Sequence, residues 1–391
     1  MRICILSYGF DKNDLSESYT AYRLVNELRK KHEIEVLTKD DPCEDYVKKV
    51  KCVPVLKNTK YYRMFKVDYF EFIFKAYQYL KRKHQRYDII QHISPKSFRY
   101  PNPICNLKAK FIWGPLGGSI PYPTGFSEIE QRESWVTKMR KSDHLRFYLD
   151  PFLINTFKKS CMIITTSKAS LMQVPVRFRY KTEILPHGIE PIRLDQEKSN
   201  LNQFEEDPFI YYCGRLVPYK GVELLARAFH KYLKTDGANL KLLIAGDGPE
   251  RHFLKKFILE NNLGEKVRLL GRLDRSENLN LMSKSLFCVF PALNEAFGNV
   301  NLEAMALGKT IIVSDFGGPA DIITDGEDGF KIKADSIPAY IDELALKIKL
   351  LHQNVNLRKK MEASAKEKVI REFSYPAIVN KLHSLYEKLS I

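Results

Sequence analysis

The chain has 391 residues, 44% hydrophobic and 28% charged, which excludes disorder and exceeds what one core usually holds. A formal charge of +16 and a pI near 9.3 would attract a phosphate-bearing ligand, an anionic membrane surface or nucleic acid, without choosing among them. Seven cysteines, scattered and without a C-x-x-C pair, suit reduced thiols in the cytoplasm better than a disulfide framework.

The opening MRICILSYGFDKND carries too short an apolar run for a signal peptide, and no later run is long enough to cross a bilayer. RICILSY reads as a strand, YTAYRLVNELRKKH as an amphipathic helix and EIEVLT as a second strand. That order and spacing predict a right-handed parallel unit. Residues 56–87 then interleave aromatics with Lys and Arg, as VRFRYK does at 176–181, a pattern suited to an anionic membrane. Tyr61, Tyr62, Arg63 and Lys66 are the membrane-facing candidates; over 67–80 the pattern equally describes a helix with aromatics in the core and lysines in water. YDIIQHIS, AKFIWG and CMIITTS continue the strand series.

The polar stretch 194–208 has linker composition. After it FIYYCGR, LKLLIAGDG, KVRLLGR, SLFCVFPA and KTIIVSD recur as buried strands, with helical segments such as GVELLARAFHKYL between them. The expected fold is α/β, with two Rossmann-like doubly wound parallel-sheet domains, residues 1–193 and 194–372, and a terminal segment 373–391. Ligands of such sheets bind at the carboxyl ends of the strands.

The connections after strands in the second domain carry the chemistry. CGRLVPYKG ends a strand at Gly214, places Arg215 and Lys220 in one loop and uses Pro218 and Gly221 to shape a helix entry, which suits a diphosphate. In NEAFGNVNLEAMALGK, a short helix stopped by Gly308 holds Glu303, while Glu295 precedes it in the loop. The two carboxylates therefore reach different points on one elongated ligand. Helix amides between them favour a phosphate, and carboxylates beside a phosphate are tolerated where they accept from hydroxyls, which describes a nucleotide sugar. In VSDFGGPADII, Gly317 and Gly318 remove side-chain bulk and expose amides. Each loop alone fits an ordinary turn or capped helix; three after strands of one sheet favour a ligand.

Together GRLVPYKG, AGDGPE, NEAFGNVNLEAMALG and GGPADII…DGF, over about residues 210–332, resemble the family 4 retaining nucleotide-sugar glycosyltransferases of the GT-B fold. The resemblance implies that Glu295 touches donor-sugar hydroxyls, Glu303 holds the ribose, and Arg215 and Lys220 bind the diphosphate. Gly214, Phe297, Gly298, Asn299, Val300, Arg272, Gly317 and Gly318 would complete the donor site. FIWGPLGGS resembles the W-G-P-x-G-G stretch of members that build surface polysaccharides, which puts Gly117 and Gly118 on the acceptor side. His92 is the best match to the cleft-facing catalytic His of the family. Gly9, Ser16 and Glu17 stand where many members carry a Gly-rich turn and a Glu, although the Gly pair is missing. REFSYPAIVNKLHSLYEKL resembles the final segment, with Tyr375 where Trp is common, and implies a last helix returning to the first domain.

The implied activity moves a sugar, with retention, from a UDP- or GDP-sugar to a glycan or lipid-linked oligosaccharide in cell-surface polysaccharide biosynthesis. No cofactor or metal is implied, because no D-x-D cluster sits in a suitable loop. The expected location is cytoplasmic, peripheral on the cytosolic membrane face. A non-catalytic nucleotide-sugar-binding subunit and a nucleotide-sugar 2-epimerase are the alternatives on the same fold. Nucleic acid is not expected as a partner, since no motif for it appears.

Overall fold

The computed structural model describes residues 1–12, 17–41, 44–51, 67–118, 120–134, 138, 143–192, 207–235, 239–333 and 335–389. Their contacts divide the chain into two compact units, Met1–Ser119 with Arg140–Gly188 and Tyr375–Ile391, and Ile120–Met139 with Ile189–Ser374.

Among the described residues the first unit has strands β1 (Arg2–Ser7), β2 (Glu33–Thr38), β3 (Val47–Lys49), β4 (Ile89–Ser94), β5 (Lys110–Leu116), β6 (Met162–Thr165) and β7 (Thr182–Ile184). They pair in parallel in the order β3-β2-β1-β4-β5-β6-β7. Every residue of β1 after Arg2 is buried, and so is all of β4, as a parallel sheet covered on both faces requires. Helix Glu17–Leu28 buries Ala21, Leu24, Val25 and Leu28, one face at helical spacing. The terminal helix Tyr375–Lys388 packs beside it and shares a core with Ile3, Ile5 and Val36 through Ile378, Val379, Leu382 and Leu385. The Tyr386 hydroxyl in that helix donates to Gln91 of β4.

The basic aromatic stretch sorts by side. In helix Val67–Lys81, Tyr69, Phe72, Ile73, Ala76 and Leu80 are buried, Tyr77 and Tyr79 are half-buried against the same core, and Phe70 and Phe74 face outward, so the aromatics divide between core and surface. At 176–181, Phe178 is buried and Val176 and Tyr180 are exposed. Tyr61, Tyr62, Arg63 and Lys66 lie outside the described residues.

The second unit has β8 (Phe209–Cys213), β9 (Lys241–Ala245), β10 (Val267–Gly271), β11 (Cys288–Phe290), β12 (Ile311–Ser314) and β13 (Gly329–Ile332), parallel in the order β10-β9-β8-β11-β12-β13. Helix Val222–Thr235 lays Val222, Leu225, Phe229 and Tyr232 into its core. The strip Ile120–Met139 also belongs here, within a range expected to be wholly first-domain. Its anchors explain why: Phe126 is fully buried, edge-on to Phe316 and Tyr340, and Ile129 joins the same core. Most of the polar stretch 194–208 lies outside the described residues.

Candidate functional site

In the second unit, β8 ends at Cys213 and the chain turns through Gly214 and Arg215 into a single helical turn, Pro218–Lys220. Gly221 closes that turn at φ +67°, and a Cβ there would lie 2.0 Å from the Pro291 carbonyl oxygen. Only glycine fits, so the turn is held against the strand-end loop that carries Glu295. Lys220 Nζ meets the Glu295 carboxylate, and both side chains are mostly buried. A small pocket opens where they meet, lined also by Tyr212, Gly298 and Val300. Arg215 donates to the Tyr219 hydroxyl with its guanidinium 5.6 Å from the ring centre.

Gly298 caps helix Asn299–Ala306, whose N-terminus carries the positive end of the helix dipole; the Asn301 amide there donates to the Gly298 carbonyl at 3.0 Å. Asn299 is exposed at the start of this helix. Glu303, one turn in, is 3.1 Å from Arg275 Nη2. Burial pushes the Glu303 carboxyl above its usual range, and the Arg275 charge opposes that. Both carboxylates of the E-x7-E pattern thus have a cation partner before any ligand arrives.

Gly317 and Gly318 open helix Gly317–Ile322. The Gly318 amide donates to the Glu295 carbonyl at 2.8 Å, and a Cβ on Gly318 would lie 2.3 Å from Phe297 Cα. This corrects the expectation that the Gly318 amide is offered to a ligand: the pair seats the Glu295 loop by close backbone approach. Two further donor-site candidates sit away from the pocket. Phe297 is buried with its ring 6.5 Å from Phe373, a core position, because the chain turns inward ahead of Gly298. Arg272 is largely exposed, 4.0 Å from Asp247.

In the first unit His92 corrects the expectation of a cleft-facing group. Its side chain is fully buried, with Nε2 2.7 Å from the Ser94 carbonyl and the ring near Tyr69, and burial drives its pKa down to about 4. Glu17, exposed at the start of helix Glu17–Leu28, lies 3.4 Å from the Lys96 amide, and the Gly117 amide donates to the Lys96 carbonyl. Gly9 is buried against Ser18, and Gly118 stands in open space at φ +98°. Ser16 lies outside the described residues.

Sequence reasoning missed Lys96, whose Nζ is 3.1 Å from His187 Nε2. Burial pushes Lys96 down to about 8, against the pull of Glu17. Both follow carboxyl ends of strands, in the loops after β4 and β7, and that placement was the available signal. Arg275 was also missed, since its helix shows no motif.

Residues 195–368 match the family described as Glycosyl transferases group 1. The chain is 29% identical over 259 residues to an uncharacterized glycosyltransferase of Methanocaldococcus jannaschii, 63% of each chain. It is 31% identical over 233 residues to the N-acetylgalactosamine-N,N'-diacetylbacillosaminyl-diphospho-undecaprenol 4-alpha-N-acetylgalactosaminyltransferase of Campylobacter jejuni, 58% of this chain and 61% of that one. The matches thus span less than two thirds of these relatives. Anabaena HepE, solved in complex with UDP, superposes with a TM-score of 0.68 at 15% identity over 99% of this chain and 100% of its own, which shows the shared fold, the GT-B class.

Proposed function

We propose that the chain is a retaining glycosyltransferase that takes a sugar from a UDP- or GDP-sugar and passes it to a glycan or lipid-linked oligosaccharide in cell-surface polysaccharide biosynthesis. The observation that carries this reading is the meeting of Lys220 with Glu295 at a pocket beside the helix N-terminus that leads to Glu303. The names of the Campylobacter relative and of the UDP-bound fold neighbour support it.

In this reading the donor diphosphate draws Lys220 from Glu295, which frees that carboxylate to accept from sugar hydroxyls. Glu303 accepts from the ribose. As the anomeric C–O bond breaks, its electron pair passes to the departing phosphate oxygen, where Arg215, Lys220 and helix amides stabilise the charge without reorganising. The acceptor oxygen bonds the anomeric carbon on the same face, and its proton goes to that phosphate oxygen. Glu295 positions the sugar and is not a base, and no metal takes part.

The acceptor side includes an anionic membrane surface. Leu145, Tyr148, Leu149 and Phe152 face outward on helices Asp143–Leu149 and Pro151–Lys159, and Val176 and Tyr180 do so beside Arg177 and Lys181. Among the described residues no helix is long and apolar enough to cross a membrane.

The test incubates a panel of UDP- and GDP-sugars with lipid-linked saccharides, following nucleoside diphosphate release and the anomeric configuration of the product. Acceptor-dependent release with retention supports transfer. Donor binding with no release under any acceptor would leave a holding role instead.

A further inference from the structure

We infer that Glu133 is a positioning residue for the Pro218–Lys220 turn, and that the strip around it supplies part of the donor site; the inference rests on the donor reading above. Glu133 lies in no motif, 86 positions before Tyr219. It follows the short helix Ser127–Gln131, in the strip that folds with the second unit.

The strip is fixed at several points. Phe126 packs between Phe316 and Tyr340, and Arg132 pairs with Glu223 and lies 3.6 Å from Glu250. The Ile120 carbonyl accepts from Asn294 Nδ2 at 2.7 Å, one residue before Glu295. The strip therefore touches both loops that meet at Lys220 and Glu295.

Glu133 is only 7% exposed. Its Oε1 accepts the Tyr219 amide at 2.9 Å and the Tyr122 hydroxyl. Tyr219 is pinned three ways: its amide by Glu133, its carbonyl by the Leu293 amide at 2.8 Å, and its hydroxyl by Arg215. Lys220 is the next residue, so the carboxylate fixes the backbone from which the diphosphate-binding lysine projects. Burial of a carboxylate is costly unless it accepts hydrogen bonds, and the bonds that satisfy Glu133 hold the turn in one geometry, which spares the ligand the cost of ordering it.

Calorimetric titration of the full chain with UDP, GDP, UMP and GMP, alongside thermal melting, tests this. Glu133→Ala should raise the dissociation constant of the preferred nucleoside diphosphate about tenfold or more while leaving that of the monophosphate within about threefold. Glu133→Gln keeps the accepting oxygen and should stay within about threefold of the parent. If Glu133→Ala does not fold, Glu133→Asp carries the test, since its shorter reach should produce the same diphosphate-selective loss. Unchanged diphosphate binding, or equal losses for mono- and diphosphate, overturns the positioning role. A parent protein that binds neither UDP nor GDP overturns the donor reading itself, a result separate from any effect of Glu133.

Discussion

At the scale of single residues, the proposed donor site rests on cation–carboxylate contacts, Lys220 with Glu295 and Arg275 with Glu303, that a ligand would exchange. A charge-assisted contact of this type is worth roughly 1.5 to 3 kcal/mol, so Lys220→Ala should raise the donor dissociation constant between about tenfold and 150-fold and lower kcat with it. Unchanged donor affinity in that variant would remove Lys220 from the site. Glu295 and Glu303 were legible in the sequence because one loop-to-helix segment sets their spacing. Their partners were legible unevenly: Lys220 lies in a motif, but Arg275 and Glu133 reach the site only through tertiary packing. His92 misled for a related reason. A histidine late in a buried strand looks the same in sequence whether it faces a ligand or the core, and here burial keeps it neutral.

Helices and strands were read well where they were long enough to show a period. The strands not anticipated, β3, β7 and β13, have three or four residues each and all lie at sheet edges, where so few residues carry no pattern. Phe126 and Ile129 sent the strip to the second unit, and nothing local distinguishes their apolar pattern from one that packs nearby. Turn geometry gives a sharp test at this scale. In Gly221→Ala the new Cβ would collide with the Pro291 carbonyl in a left-handed backbone, and a loss of about 1 to 3 kcal/mol should appear in denaturant melts. A variant as stable as the parent would show that the turn moves freely. In the terminal helix Leu382 is fully buried, and Leu382→Ala should cost about 2 to 5 kcal/mol, read as an earlier transition in the same melts. No shift would mean that the helix contributes little to the first unit.

The whole molecule adds a pH dependence. An unfolded imidazole takes up a proton near pH 6.5, whereas folded His92 stays neutral down to about pH 4. Between those values the unfolded chain binds the extra proton, so stability falls as pH drops, by up to about 1.4 kcal/mol per pH unit for His92. His32, lowered to about 4 by burial and by the nearby N-terminus and His383, adds in the same direction. Urea melts from pH 7 to pH 4.5 should therefore show a steady loss that His92→Gln reduces; an unchanged slope in that variant would assign the loss to other groups. The charge of +16 fits polyanionic partners generally, and the loops of the second unit are what support the proposed nucleotide sugar among them. The most direct measurement is calorimetric titration of the parent protein and Glu303→Ala with UDP and GDP. The proposed donor site predicts selective binding of one nucleotide, weakened about tenfold or more in the variant. Equal binding by both proteins, or no binding of either nucleotide to the parent, would contradict it.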